Sequence, residues 1–216
     1  MTSQPTLTTY PIEACDAIAW TFDAGSAVTR TSTAISVDGG CLLVDPVDGP
    51  GLDAALGALG DVVGVCTLLD RHRRDGAKIA SRLGCPQLVP STLAGSGEPL
   101  VIAGVQERAI LAAPGWNESA LWLPERRLLV CADSLGTTRY FLSTPEEVVG
   151  VHPLLRIRPP VGAFRGLEPV AIAVGHGAPV LEGATAGLQQ AIATARSGLP
   201  RTWWRMLSSI ARRQSH

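Results

Sequence analysis

Thr67-Leu68-Leu69-Asp70-Arg71-His72 is the stretch on which the reading of this chain turns. It follows the apolar run Val62-Val63-Gly64-Val65-Cys66, so a strand leads there into a polar loop. Three further segments repeat that arrangement: Pro114-Gly115-Trp116, Cys131-Ala132-Asp133 at the end of Leu128-Leu129-Val130-Cys131, and Gly175-His176. On a common strand framework their polar residues collect along one edge, which is where a site belongs.

In order and spacing these segments resemble the metallo-β-lactamase fold superfamily. Its members carry an H-x-H-x-D-H loop, a later P-G-H, a G-D after a strand and a final G-H, which together hold two adjacent metals. The resemblance covers roughly residues 17 to 198 and extends to flanking pieces. Val37-Asp38-Gly39-Gly40-Cys41-Leu42-Leu43-Val44-Asp45-Pro46 is similar to the family's early strand pair ending in Asp. Leu83-Gly84-Cys85-Pro86 is similar to the turn after the helix that follows the metal loop. Trp122-Leu123-Pro124-Glu125-Arg126-Arg127-Leu128-Leu129 is similar to the hairpin before G-D. The fold implied is an α/β four-layer αββα sandwich, and a fold does not by itself specify an activity.

Counting back without gaps from Leu83-Gly84-Cys85-Pro86 carries the family's ligands onto this chain. Thr67 and Leu69 then replace the two leading histidines, Arg71 replaces the aspartate, and His72 keeps the last histidine. Trp116 replaces the histidine of P-G-H, while Asp133 and His176 stand at the bridging aspartate and the final histidine. A second register, with Asp75 as the loop aspartate and Arg71 and Arg73 at the leading positions, restores no ligand set.

Two-metal hydrolysis needs both cations side by side to polarise the scissile bond and generate a hydroxide near neutral pH. With all three imidazoles of one site gone, the resemblance implies no dinuclear centre and, on the main reading, no cofactor. The alternative is one zinc ion on His72, Asp133 and His176, three ligands with a fourth position open. Arg71 opposes it, because a guanidinium keeps its proton and sets a fixed charge beside the cation. Arg71 is therefore expected to take over the metal's role by pairing with Asp133, since a buried carboxylate left alone costs on the order of 3 to 5 kcal/mol. Trp116 and the neighbouring Leu69 are expected to plug the emptied cavity, or else to line an apolar ligand pocket.

Length and composition agree with one folded domain: 216 residues, 46% hydrophobic and 17% charged. A net charge of −1 gives no global field for nucleic acid, and Lys78 is the only lysine. Five cysteines without a C-x-x-C argue against a disulfide framework. The start of the chain lacks a basic n-region and an apolar h-region, and no run of 18 apolar residues occurs, so the cytoplasm is the expected location.

Strands are expected over 17–22, 34–37, 41–44, 62–69, 108–112, 119–123, 128–131 and 170–174, with helices over 51–59, 76–83 and 184–197. Asp75 is placed to cap the second helix. Glu118 is expected to be solvated at a hairpin end, or to serve as a general base. His152 is expected to pack near a helix end and the arginines around Arg156 to be solvated, although the position after Asp133 also allows ligand contact. Residues 1–16 form an N-terminal segment, 17–198 the domain and 199–216 a basic amphipathic helix. In that helix Thr202 is the cap, Trp203, Trp204, Leu207, Ile210 and Ala211 share a face, and Arg201, Arg205, Arg212 and Arg213 carry the charge. Docking onto its own domain or pairing with a second copy in a homodimer is preferred for it over a membrane surface.

Three functions remain open. The first is binding of a small-molecule ligand or a partner without hydrolysis. The second is mononuclear hydrolysis of a small-molecule ester, thioester or amide. The third is peripheral interaction through the C-terminal helix.

Overall fold

The structure, a computed structural model, describes residues 5–22, 29–93 and 97–204. Seven strands join in sequence order into one sheet: β1 (Leu7–Ile12), β2 (Ala17–Phe22), β3 (Thr31–Val37), β4 (Gly40–Val44), β5 (Val62–Cys66), β6 (Gln87–Val89) and β7 (Glu98–Pro99). Next come β8 (Gln106–Ala113), β9 (Trp116–Leu123) and β10 (Leu128–Val130), the short mutual pair β11 (Leu135–Gly136) and β12 (Gly150–Val151), and β13 (Ala171–Ala173). The second sheet has the order β13-β10-β9-β8. The helices are α1 (Leu52–Leu56), α2 (Gly76–Leu83), α3 (Val161–Phe164) and α4 (Ala184–Thr194).

Side-chain alternation explains the layering. In β2, Ala17 and Ala19 face the core between the sheets while Trp20 and Phe22 face outward; in β4, Leu42 and Val44 point in and Cys41 and Leu43 out. Both faces are buried, which is why these strands read as continuous apolar runs. Leu52 and Leu56 of α1 and Ile79 and Ala80 of α2 cover the outer face of the large sheet. On the other side α4 packs against β12 and β13, burying Ala184, Leu188 and Ala191. The result is a helix–sheet–sheet–helix sandwich.

Two parallel pairs, β4 with β5 and β10 with β13, direct their carboxyl ends to loops that meet. The run expected as a strand over 62–69 stops at Cys66, because the chain leaves the large sheet there and crosses to β9. Ser119 N–H donates to Leu68 O (2.9 Å) and Asp70 N–H to Asn117 O (3.1 Å), so the loop is zipped onto the second sheet. The Pro114-Gly115 turn delivers β9 to this point, with Gly115 at φ 79°, a left-handed conformation that suits glycine after proline.

Other expectations are corrected by packing. Asp75 precedes α2 but makes no side-chain cap; its Oδ2 accepts Asp48 N–H instead (3.0 Å). Arg156, expected in solvent, is fully buried, donating to Val151 O and Phe141 O and facing Glu147 at 3.4 Å. Residues 7–12, placed in the N-terminal segment, pair along their whole length with β2. Thr202 lies inside a helical stretch over 199–204, its hydroxyl donating to carbonyls of the preceding turn, rather than capping it. Trp203 Nε1 donates to Pro153 O and Trp204 is exposed. Arg205, Leu207, Ile210, Ala211, Arg212 and Arg213 lie outside the described residues. Among the described residues no helix is long and apolar enough to cross a membrane.

The inter-sheet core carries the fold, so Leu42→Ala, at a fully buried position, is expected to cost about 2–5 kcal/mol in urea unfolding. Val101→Ala, at a position 84% exposed, should stay within about 0.5 kcal/mol of wild type.

Candidate functional site

Asp45 ends β4 in a left-handed backbone conformation, φ 45°, and turns a buried carboxylate towards the loop after β5. Oδ1 accepts Leu68 N–H (2.9 Å) and Oδ2 meets His72 Nδ1 (2.9 Å). Held on that side, the His72 imidazole presents Nε2 to Asp133 Oδ1 at 3.0 Å. Asp133 follows β10, and His176, following β13, brings its own Nε2 to the same oxygen at 3.0 Å while Nδ1 donates to Thr29 O (2.9 Å). Gly175 makes the approach possible: a Cβ there would lie 2.8 Å from Ala132 O and 3.0 Å from His72 Cε1.

His72, Asp133 and His176, far apart in sequence, are thus brought together, with one ligand atom from each inside 4.8 Å of the others. They form a group able to hold a metal ion. Although both Nε2 atoms lie 3.0 Å from Asp133 Oδ1, that buried oxygen has no well-directed hydrogen bond. Both Nδ1 atoms are already engaged, the second-sphere arrangement that orients histidine ligands. The donor set, two imidazoles and a carboxylate, suits one borderline ion such as zinc.

Without an ion the cluster balances itself by proton placement. Burial alone pushes the His72 imidazole down, but Asp45 and Asp133, one at each ring nitrogen, outweigh it and hold it up at about 9. Burial likewise pushes Asp133 up, yet His176 and His72 hold its carboxyl far below the usual range.

The other expected site residues divide. Leu69 is fully buried in the inter-sheet core. Trp116 is 7% exposed in the same core, its Nε1 donating to Glu118 Oε2 (2.8 Å). Thr67 sets its hydroxyl beside Gly76 at the start of α2. Arg71 does meet Asp133, but at 3.5 Å and with its side chain 46% exposed; its guanidinium rests 4.2 Å over the Trp116 ring. The close partners of the carboxylate are the imidazoles, so Arg71 is an outer contact.

Four residues take places at the site that sequence reading gave them either not at all, as with Asp45 and Arg74, or only as an alternative, as with Glu118 and His152. Asp45 was visible only as the end of a strand. Arg74 reaches the carbonyls of Thr31 (2.5 Å), Asp45 (2.8 Å) and Gly175 (3.0 Å), tying both sheets together beneath His72; nothing in its sequence context marks it. Glu118, expected in solvent, is fully buried, its Oε1 accepting Ser134 N–H (2.7 Å). Burial pushes it up to about 7. Its signal was available, since it lies two residues from Trp116 on one strand and so shares that residue's inward face. His152 packs edge-on to Trp116 at 4.7 Å, and Leu154 N–H donates to its Nδ1.

The architecture matches solved structures closely enough to decide the fold. The DIM-1 metallo-β-lactamase superposes with a TM-score of 0.59 at 13% identity, covering 90% of this chain and 99% of that one. A metallo-β-lactamase from Pontibacter korlensis gives 0.59 at 14%, with the same coverage. The chain has the metallo-β-lactamase fold. A mutant of a flavo di-iron protein from Thermotoga maritima also aligns, with a TM-score of 0.59 at 13% identity over 89% of this chain and 63% of that one. Neither a family model nor a curated relative matches by sequence. On this metallo-β-lactamase scaffold, His72, Asp133 and His176 occupy the loop ends that the sequence resemblance assigned to the second metal.

Asp45→Ala removes one of the two carboxylates that hold the buried charge of His72 and leaves Leu68 N–H without its acceptor, and should cost about 3–5 kcal/mol. Arg71→Ala, removing a half-exposed pair, should cost no more than about 1 kcal/mol in the same chemical denaturation series. Burial also pushes His152 down to about 4 from its usual 6.5. The unfolded chain then binds the proton first, so stability is full above about pH 6.5 and falls by up to about 3 kcal/mol as pH drops towards 4. Melting temperatures across that window should decline more steeply for wild type than for His152→Gln.

Proposed function

We propose that this protein uses its metallo-β-lactamase scaffold to bind a ligand or partner and does not carry out two-metal hydrolysis. The observation that supports this is the filling of the first metal position. Where the resemblance places three imidazoles there stand a hydroxyl turned to α2, a fully buried leucine and an indole whose nitrogen is committed to Glu118. Opening that space for an ion means emptying packed core and leaving Glu118 short of a donor, each costly.

A single ion is the second reading, favoured by the poorly directed contacts to Asp133 Oδ1 and by the two imidazoles already oriented through Nδ1. His72, Asp133 and His176 would hold it. When bound, such an ion supplies a Lewis acid or an activated water for an ester, thioester or amide of a small molecule. Asp45 and Thr29 O orient the imidazoles, Phe141 stacks on His176 at 5.9 Å, and Arg71 keeps a fixed positive charge at the mouth.

Elemental analysis of protein purified without chelator separates the readings. At most one equivalent of zinc, iron or manganese is expected, and His176→Ala should abolish whatever is retained. Two tightly held equivalents would show that the first position is functional after all and would end the proposal. One equivalent with ester hydrolysis that disappears in His176→Ala would establish the mononuclear enzyme.

A further inference from the structure

The mouth of the His72, Asp133 and His176 centre is framed by arginine. Arg71, Arg73 and Arg74 stand on the loop after β5, and Arg30 precedes β3 with its backbone bridged to His176. Arg139 follows β11 on the loop where Thr137 and Thr138 pack against Gly177. Arg30, Arg71, Arg73 and Arg139 are exposed. Among the described residues, the acids on the loops that carry His72 and Asp133 face inward, where Asp45 and Asp133 meet His72, Asp70 Oδ2 accepts Asn117 N–H and Asp75 Oδ2 accepts Asp48 N–H, while Glu146, exposed on the Arg139 loop, lies in the field of Arg201. Among the described residues, the solvent-facing charge of these loops beside the cluster is therefore mainly positive, on a chain whose net charge is −1. That contrast makes the positive field local to the mouth.

Arg71 carries the inference furthest. Its guanidinium is positioned by the face of Trp116 at 4.2 Å, while among the described residues its polar contacts are long, 3.4 Å to Gly115 O and 3.5 Å to Asp133 Oδ2. Charge-assisted hydrogen bonds of arginine run at about 2.7–2.9 Å, so neither contact saturates the fork. A guanidinium stacked, half exposed and short of good acceptors is prepared for a ligand oxyanion, which it grips through two parallel N–H groups. We propose that this mouth binds a small ligand through a phosphate or carboxylate group held by Arg71, with Arg30, Arg73 and Arg139 attracting it. This rests on the reading of the protein as a binding member of its fold and names the chemistry of what it binds. Arg71, the only one of these with its guanidinium set directly beside Asp133, offers a single oxyanion fork at the mouth, which suits a small anion better than a nucleic-acid strand held along an extended basic track.

The test is isothermal titration of the full chain, at low salt, with inorganic phosphate, pyrophosphate and succinate, the last separating carboxylate from phosphate recognition. At least one should give saturable binding. Arg71→Gln should weaken it by about tenfold or more, equivalent to about 1.4 kcal/mol, with an unchanged melting temperature. Arg30→Gln with Arg139→Gln should weaken it less and flatten its salt dependence. No saturable binding by any of the three probes, or binding untouched by Arg71→Gln, would overturn the proposal. So would tighter binding of a single-stranded oligonucleotide than of pyrophosphate. Metal content measured on the same preparations keeps the two claims apart. Two metal equivalents with oxyanion binding intact would remove the non-dinuclear reading alone, whereas at most one equivalent with no oxyanion binding would remove the ligand class alone.

Discussion

A carboxylate buried at the end of β4 is the constraint around which this edge of the molecule is organised. Asp45 sits where solvation is lost, and an ion in that position costs several kcal/mol unless it is paired and hydrogen-bonded. Its two oxygens take Leu68 N–H and His72 Nδ1, so the start and the middle of the loop after β5 are fixed to β4. Arg74 then closes the loop by donating to carbonyls of Thr31, Asp45 and Gly175, the last on the second sheet. The orientation of His72, and through it the meeting of His72 with Asp133, follows from neutralising Asp45. The chemistry at the mouth thus depends on a structural need below it.

Leu69 and Trp116, which the sequence resemblance aligns with ligands of the first metal, are absorbed into packing. A cavity lined by leucine and tryptophan is filled by its own side chains, because interiors are close-packed and voids cost energy. Leu69 completes the inter-sheet core, and Trp116 brings the one polar atom that needs a partner, which Glu118 supplies. The pairing also suits Glu118, whose other oxygen is held by Ser134 N–H.

How far the sequence could be read follows from this division of labour. The framework was legible because strands buried on both faces leave long apolar runs: β2 and α2 begin and end where 17–22 and 76–83 were expected. The convergence of His72, Asp133 and His176 was legible through the ordered loop segments. The charge partners were not. Arg71 was the evident cation by position, yet backbone geometry after His72 turns Arg74, at φ 38°, into the interior and leaves Arg71 on the face of Trp116. Neither local propensity nor spacing distinguishes two arginines three residues apart. β1, β6 and β7 were invisible for a different reason: short or edge strands bury too little to impose a pattern.

Charge balance links the buried cluster to the exposed arginines. Asp45 and Asp133 bring two carboxylates to the inner cluster, and His72, held up at about 9 between them, stands opposite them together with Arg74. A divalent ion held by His72, Asp133 and His176 would need His72 as a neutral imidazole, so its charge would take the place of that proton. Either way the inner carboxylates are engaged first by the groups within the cluster and only at longer range by Arg71. Arg71 touches the cluster only through its half-exposed 3.5 Å contact with Asp133, and Arg30, Arg73 and Arg139 face solvent, so these exposed arginines keep a positive character whichever occupant, proton or metal, the inner cluster holds.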